Sequence, residues 1–279
     1  MTQALQVDLA GRRAFVTGSS RGLGLASARA LARAGADVGL LGRQPDSVAA
    51  AVTDVEQHRA TTEQQVVAFT GDLATTEGVQ TVIADATSSQ WDIVVNCAGV
   101  AHPGSLAEID PADWSATMAV NVTAPFLLSQ ALSVPMVERG WGRIISVSSH
   151  SGLRPSRGSL AYSVSKAALQ MLSTCLATEL GPYGVRSNVI CPTIFLSDMG
   201  REFWSDLDVL SGKIEQIPAK RLARVTELAD VILFLASPAA DYINGAVLPV
   251  DGGLFAGRPA ASGVTLANLD EAELSPNQR

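Results

Sequence analysis

Seven short apolar runs recur along this chain, and helix-type spacing fills the stretches between them. The runs are RRAFVTG, ADVGLLG, QQVVAFTGD, WDIVVNCAG, GRIISVSS, GVRSNVICP and GAVLPVDGG. They are rich in β-branched residues and almost free of polar alternation. That is the pattern of strands covered by helices on both faces. The helical segments are GLASARALARAG, closed by Gly35 at its C-cap, then PDSVAAAVTDVEQH, and stretches over about 111–139, 159–180 and 226–236. Pro125 and Pro135 predict a bend or break within 111–139. Alternating units of this kind imply an α/β class: a single-domain Rossmann fold with a doubly wound parallel sheet of about seven strands. No proline- or glycine-rich linker divides it, so one domain is expected over 1–257, followed by a polar tail over 258–279.

Composition narrows the function classes. Acidic residues outnumber basic ones, 27 to 20, for a net charge of −7. That balance argues against a nucleic-acid or anionic-membrane surface. No uninterrupted apolar run approaches the ~18 residues of a membrane span, and the start, MTQALQVDLAGRR, lacks a signal-peptide core. Cys97, Cys175 and Cys191 are scattered, odd in number and embedded in apolar sequence, as expected of reduced, buried thiols in a cytoplasmic protein. His58, His102 and His150 show no metal-ligand spacing, so no metal is predicted.

Two local patterns point to chemistry. The first run passes through TGSSRGLG into a helix, with glycines at 18, 22 and 24. Glycines there permit a tight turn and a close backbone approach, and the helix N-terminus favours a diphosphate. The second pattern is SLAYSVSKAAL. Tyr162 and Lys166 are four residues apart, about one helical turn, and so share a face.

TGxxxGxG, NCAG at 96–99, YxxxK at 162–166 and the closing VDGG at 250–253 together resemble the short-chain dehydrogenase/reductase family over residues about 9 to 255. The resemblance implies carbonyl reduction and alcohol oxidation with a nicotinamide cofactor. It implies catalytic roles for Asn121, Ser149, Tyr162 and Lys166, with Ser148 the neighbouring second choice for the serine. Ser149 stands 13 residues before the tyrosine, the family's usual spacing. The cofactor positions it implies are Gly18, Ser20, Arg21, Gly22, Leu23 and Gly24 in the loop, Arg43, Asp72 and Leu73 after the next two strands, and Asn96, Ala98 and Gly99. Tyr162 and Lys166 also meet the cofactor in the family, as do Pro192, Thr193 and Ser197 after the sixth strand. Cys97 replaces the commoner second asparagine, and Pro192-Thr193 replaces the family's Pro-Gly.

A free tyrosine has a pKa of ~10, and a lysine ammonium one turn away favours the phenolate. Tyr162 is therefore expected to be the proton donor in reduction, with Lys166 tuning it. NADP(H) is expected over NAD(H), because Gly42 stands where NAD-binding relatives carry an acid and Arg43 follows it, with Arg21 nearby. Asp46 is expected to cap the next helix. The segment 194–220 resembles the xylulose/dicarbonyl reductase branch and gluconate 5-dehydrogenases, with Phe195, Met199, Phe203 and Trp204 as a lid. This implies a small polar ketone, ketose or polyol substrate. The alternatives are a 3-oxoacyl-thioester reductase and a catalytically silent nucleotide-binding regulator. Arg154 and Arg157 fit either an anionic substrate or plain solvation. A serine hydrolase is disfavoured because Val147 breaks the GxSxG elbow. Family resemblance further implies a homotetramer.

Overall fold

The computed structural model describes residues 7–195 and 207–257. Seven parallel strands form one sheet in the order β3-β2-β1-β4-β5-β6-β7. They are β1 Arg13–Thr17, β2 Asp37–Gly42, β3 Val66–Thr70, β4 Ile93–Asn96, β5 Gly142–Val147, β6 Val185–Pro192 and β7 Val247–Val250. The strand count and doubly wound class therefore follow the sequence expectation. Strands β4 and β5 are buried along their whole length, as expected of strands covered by helices on both faces, and bury the polar Asn96, Arg143 and Ser146 with them.

The chain winds to one side of β1 through β2 and β3, then returns to its other side as β4. That reversal opens a crevice beyond the carboxyl ends of β1 and β4, the general place for a ligand in such sheets. The helices are α1 Gly22–Arg33, α2 Pro45–Glu56, α3 Thr76–Ala86, α4 Pro111–Met118, α5 Ala124–Arg139, α6 Leu160–Leu180, α7 Leu207–Gln216 and α8 Val225–Ala236. One core packs Leu31, Leu40, Val95, Ile145 and Ile232 together. The other packs Phe15, Trp91, Leu128, Leu132 and Ile144. In the second core Phe15, Phe69 and Trp91 meet at centroid distances of 5.2 to 5.8 Å. Gly39 makes room for them: a Cβ there would lie 2.6 Å from the Trp91 ring.

Several local expectations are corrected. Helix α3 has no counterpart among the segments predicted from sequence, although Val79, Val82 and Ala86 form its buried face and Thr75 caps it. The break in 111–139 is a π-helical turn, Ala119–Thr123, just before Pro125; Pro135 lies inside α5. By length and composition Pro111–Arg139 is apolar enough to cross a bilayer, although polar residues interrupt it, and half of its apolar window is buried inside the fold. Asp46 does not cap α2: Gln44 holds that position, Pro45 occupies the start of the first turn, and Asp46 follows within it. Cys191 is buried and Cys97 partly so, but Cys175 is exposed on α6. The predicted tail and the residues Ser197, Met199, Phe203 and Trp204 lie outside the described residues.

Candidate active site

A cleft of about 940 Å³ runs along the carboxyl ends of the strands. The glycine loop, Arg43, Asp72 and Leu73 line one end; Ser149, Tyr162, Lys166, Pro192 and Thr193 line the other.

The glycines at the first end are demanded by packing. Gly18 and Gly22 have φ of 64° and 58°, the left-handed region that favours glycine. A Cβ on Gly18 would sit 2.7 Å from the Ala98 Cα, and one on Gly24 would sit 2.3 Å from the Gly18 carbonyl oxygen. The start of α1 is left open: Arg21 at its N-cap makes no side-chain cap, and no acid occupies its first turn. By contrast, side chains of Thr75 and Asp110 cap α3 and α4, and each has an acid in its first turn. Uncapped N–H groups at a helix start, in a glycine-lined cradle, suit a diphosphate. The residues present therefore fit a dinucleotide. Arg21 and Arg43 are exposed cleft-lining cations and make no ion pair among the described residues. Asp72 lines the same end, and one of its carboxylate oxygens accepts from the Ala74 N–H at 3.0 Å.

Thr17, the first residue of TGxxxGxG but not among the expected cofactor positions, fixes the floor between the two ends. Its hydroxyl oxygen accepts from the N–H groups of Cys97 and Ala98, both at 3.0 Å. Cys97, Ala98 and Gly99 line the cleft, whereas Asn96 does not. Asn96 is buried and donates to the Ser129 hydroxyl at 3.3 Å. β4 ends at Asn96, and its side-chain amide is turned to α5.

At the second end, β5 delivers two serines with different surroundings. Ser148 is buried; its hydroxyl donates to the Lys166 carbonyl at 2.9 Å and accepts from Gln170 at 3.0 Å. Ser149 lines the cleft with Tyr162, and its hydroxyl accepts from the Ser151 N–H at 3.1 Å. Lys166, one turn along α6, is buried with its ammonium donating to the Val147 carbonyl at 2.9 Å and lying 5.6 Å from the Tyr162 ring centroid. Gly99 gives it space, because a Cβ there would come within 3.2 Å of Nζ. Asn121 is fully buried in the π turn and outside the cleft lining. It clamps the Val100 backbone, accepting from its N–H and donating to its carbonyl, both at 2.9 Å, and it also donates to the Ser165 hydroxyl. Residues 119–123 widen the helix where this contact is made.

Electrostatics here differ from the sequence expectation. Burial pushes the Tyr162 phenol above its usual value; the nearby Ser149 hydroxyl partly opposes this, while Cys97 adds to the rise. Burial brings the Lys166 ammonium down to about 8, and pushes the Cys97 thiol up to about 12. No cluster of metal-ligating side chains occurs among the described residues.

The sequence matches the family model described as enoyl-(acyl carrier protein) reductase over residues 18–255. L-xylulose reductase of Caenorhabditis elegans is 35% identical over 249 residues, covering 88% of this chain and 96% of that protein. Gluconate 5-dehydrogenase of Gluconobacter oxydans (strain 621H) is 35% identical over 247 residues, again covering 88% and 96%. The crystal structure of L-sorbose reductase from Gluconobacter frateurii, complexed with NADPH and L-sorbose, matches with a TM-score of 0.83 and 33% identity, covering 90% of this chain and 99% of that one.

Proposed function

The chain belongs to the short-chain dehydrogenase/reductase family, and from that premise we propose that it interconverts a polyol or sugar-type secondary alcohol and its ketone with NADP(H). The observation that carries this is the shared cleft: Ser149, Tyr162 and Lys166 line one end, and an uncapped helix start the other. Named relatives act on sugars and polyols, which supports the substrate class. The NADPH complex of L-sorbose reductase supports the cofactor, as do Gly42 in place of an acid and, beside Ser20, Arg21 and Arg43, which make no ion pair among the described residues.

When bound, the nicotinamide supplies or accepts the hydride. The protein's own groups do the rest. Ser149 donates to the substrate oxygen. Tyr162 hands its phenolic proton to that oxygen as negative charge develops, and takes it back in oxidation. Its raised pKa keeps the phenol protonated near neutrality, the form needed for reduction. Lys166, charged below about pH 8, stabilises the phenolate left behind and holds the nicotinamide ribose. Asn121 holds the Val100 backbone and a relay water. Thr17 and Gly99 keep the floor and Lys166 in register. Residues 1–257 form one catalytic unit in this reading, in a cytoplasmic protein, with 258–279 a removable tail or a wrap on a neighbouring subunit.

NADPH oxidation with ketoses, diketones and acyl thioesters, and NADP⁺ reduction with the alcohols, tests the activity; turnover absent from every arm would sink it. A homotetramer belongs to the same reading. Its support is the exposed apolar Phe126 and Val134 on α5, Val164 and Met171 on α6, and Leu248 on β7. Sedimentation at micromolar concentration should give a tetramer; a monomer alone would exclude it.

A further inference from the structure

We infer that the reactive end of the cleft is shaped for a polyhydroxy acid, with Arg154 and Arg157 holding its carboxylate. This rests on the oxidoreductase reading and narrows its substrate class.

The first support is charge selection. The whole chain is acidic, with 27 acids to 20 bases. Among the described residues lining the cleft, however, the acid is Asp72 alone, at the nucleotide end. Around the reactive end stand Arg154, Arg157 and Lys213, with no carboxylate among the described lining residues. A neutral ketose gives no reason for that concentration of cations in an acidic protein. A carboxylate does, because a guanidinium can meet both of its oxygens at once.

Pairing is the second support. Arg29, Arg139, Arg143 and Arg221 each meet a carboxylate within the fold. Arg154, Arg157 and Lys213 make no such pair among the described residues.

The third support is His150, which also lines this end. Its Nε2 is buried and has no hydrogen-bond partner among the described residues. Burial lowers its pKa, nearby Arg154 and Lys213 lower it further, and Asp251 opposes them. The Asp251 carboxylate is engaged by the N–H groups of Gly253 and Phe255 at 2.9 and 2.7 Å. A neutral imidazole nitrogen without a partner suits a substrate hydroxyl.

Reach is the last support. Ser149 and Arg154 are joined by a compact turn, in which the Gly152 N–H donates to the Ser149 carbonyl and the Arg154 N–H to that of His150, at 3.0 and 2.9 Å. At ~2 Å rise per residue for such a turn, the two positions lie within roughly 10 Å. A short hydroxylated carbon chain spans that distance, with its ketone at Ser149 and its acid at the arginine.

The test is a matched pair: a sugar acid of the gluconate type and the neutral alditol of the same carbon number, each oxidised with NADP⁺. An acetoacetyl thioester, reduced with NADPH, is the third arm. The acid should exceed the alditol by about tenfold or more in kcat/KM. Arg154→Gln and Arg157→Gln should each raise KM for the acid several-fold with little change in kcat, and so shrink the acid-to-alditol ratio. Added salt should raise KM for the acid alone, as expected of an exposed charge contact. An alditol or thioester turned over better than the acid, or a ratio indifferent to both substitutions, overturns the inference and leaves the oxidoreductase reading standing. No turnover in any arm removes both.

Discussion

At the nucleotide end of the cleft Gly18, Gly22 and Gly24 act by the side chains they lack. At the reactive end Ser149, Tyr162 and Lys166 act through atoms they carry. The first end is made of backbone: uncapped N–H groups at the start of α1, and carbonyl and Cα atoms too close for a methyl group to enter. The second is made of side chains brought by β5 and α6 to the same wall, Lys166 buried and Tyr162 partly so, which moves both of these off their usual pKa values. Removing atoms should therefore break the reactive end, and adding them should break the nucleotide end.

The largest effect is expected from removing one oxygen. Tyr162→Phe should lower kcat by about 10²–10⁴-fold, the range of a positioned general acid, with cofactor affinity kept. Stopped-flow binding of NADPH beside steady-state turnover separates the two. A variant that retains more than about a tenth of wild-type kcat would show that the proton comes from elsewhere.

Lys166→Met probes burial at the same end. The lysine is 3% exposed, and its pKa falls from the usual 10.5 to about 8. The unfolded chain therefore binds more protons than the folded one between those values, and stability from this residue rises with pH through that window. The cost of the buried charge is full below about pH 8 and gone above about 10.5, a change of up to about 3 kcal/mol. Measured as wild type minus Lys166→Met, Tm should climb from pH 8 to 10.5. A flat difference would mean that Lys166 is solvated as an ordinary surface lysine.

The contrast also explains what could be foreseen. The seven strands and the glycine loop were legible because their causes are local: apolar runs for strands covered on both faces, and glycine spacing for a turn that admits no side chain. Helix α3 carried a usable signal in Val79, Val82 and Ala86, weakened by Gly78 within its first turn. The π turn was not legible, since it accompanies a contact between Asn121 and Val100, 21 residues apart in sequence. Asn96 shows the limit of a motif. NCAG located the strand end, but which way Asn96 points depends on α5 packing against β4. The Tyr162 phenol is a similar case: spacing reveals the lysine one turn away, while burial, which raises the phenol's pKa, is a property of the assembled fold.

Adding one carbon is the complementary experiment at the nucleotide end. Gly24→Ala would put a Cβ 2.3 Å from the Gly18 carbonyl oxygen and 3.0 Å from the Ser19 Cα. Both neighbours are backbone, so the loop must shift, at a cost of about 1–3 kcal/mol for overpacking. Calorimetric titration should show weaker NADPH binding, and thermal melts a lower Tm. The acid-to-alditol ratio at the other end should stay unchanged. An unaltered affinity would mean that the loop yields without strain and that the glycine is not needed for the close approach.

The smallest effect, and the finest test of the division, concerns Arg43, the nucleotide end's departure from the rule that backbone does the binding. Its guanidinium is exposed, lines the cleft beside Arg21, and has no ion-pair partner among the described residues. If it clamps a 2′-phosphate, wild type should prefer NADPH over NADH by about tenfold in kcat/KM, near 1.4 kcal/mol. Arg43→Ala should erode that preference with little effect on NADH. Gly42→Asp would add the carboxylate that favours a free ribose hydroxyl, but its Cβ would lie 2.7 Å from the Val48 Cγ2. Reversal of preference should therefore come with a lower Tm, and Val48→Ala in the same chain should relieve the clash while keeping the reversal. A side-chain contribution is thus expected to govern which nucleotide binds, while the backbone governs that a nucleotide binds at all. If Arg43→Ala weakened NADH and NADPH equally, the arginine would be stacking on the adenine, and the selection of NADPH would have to come from Arg21 and Ser20 instead.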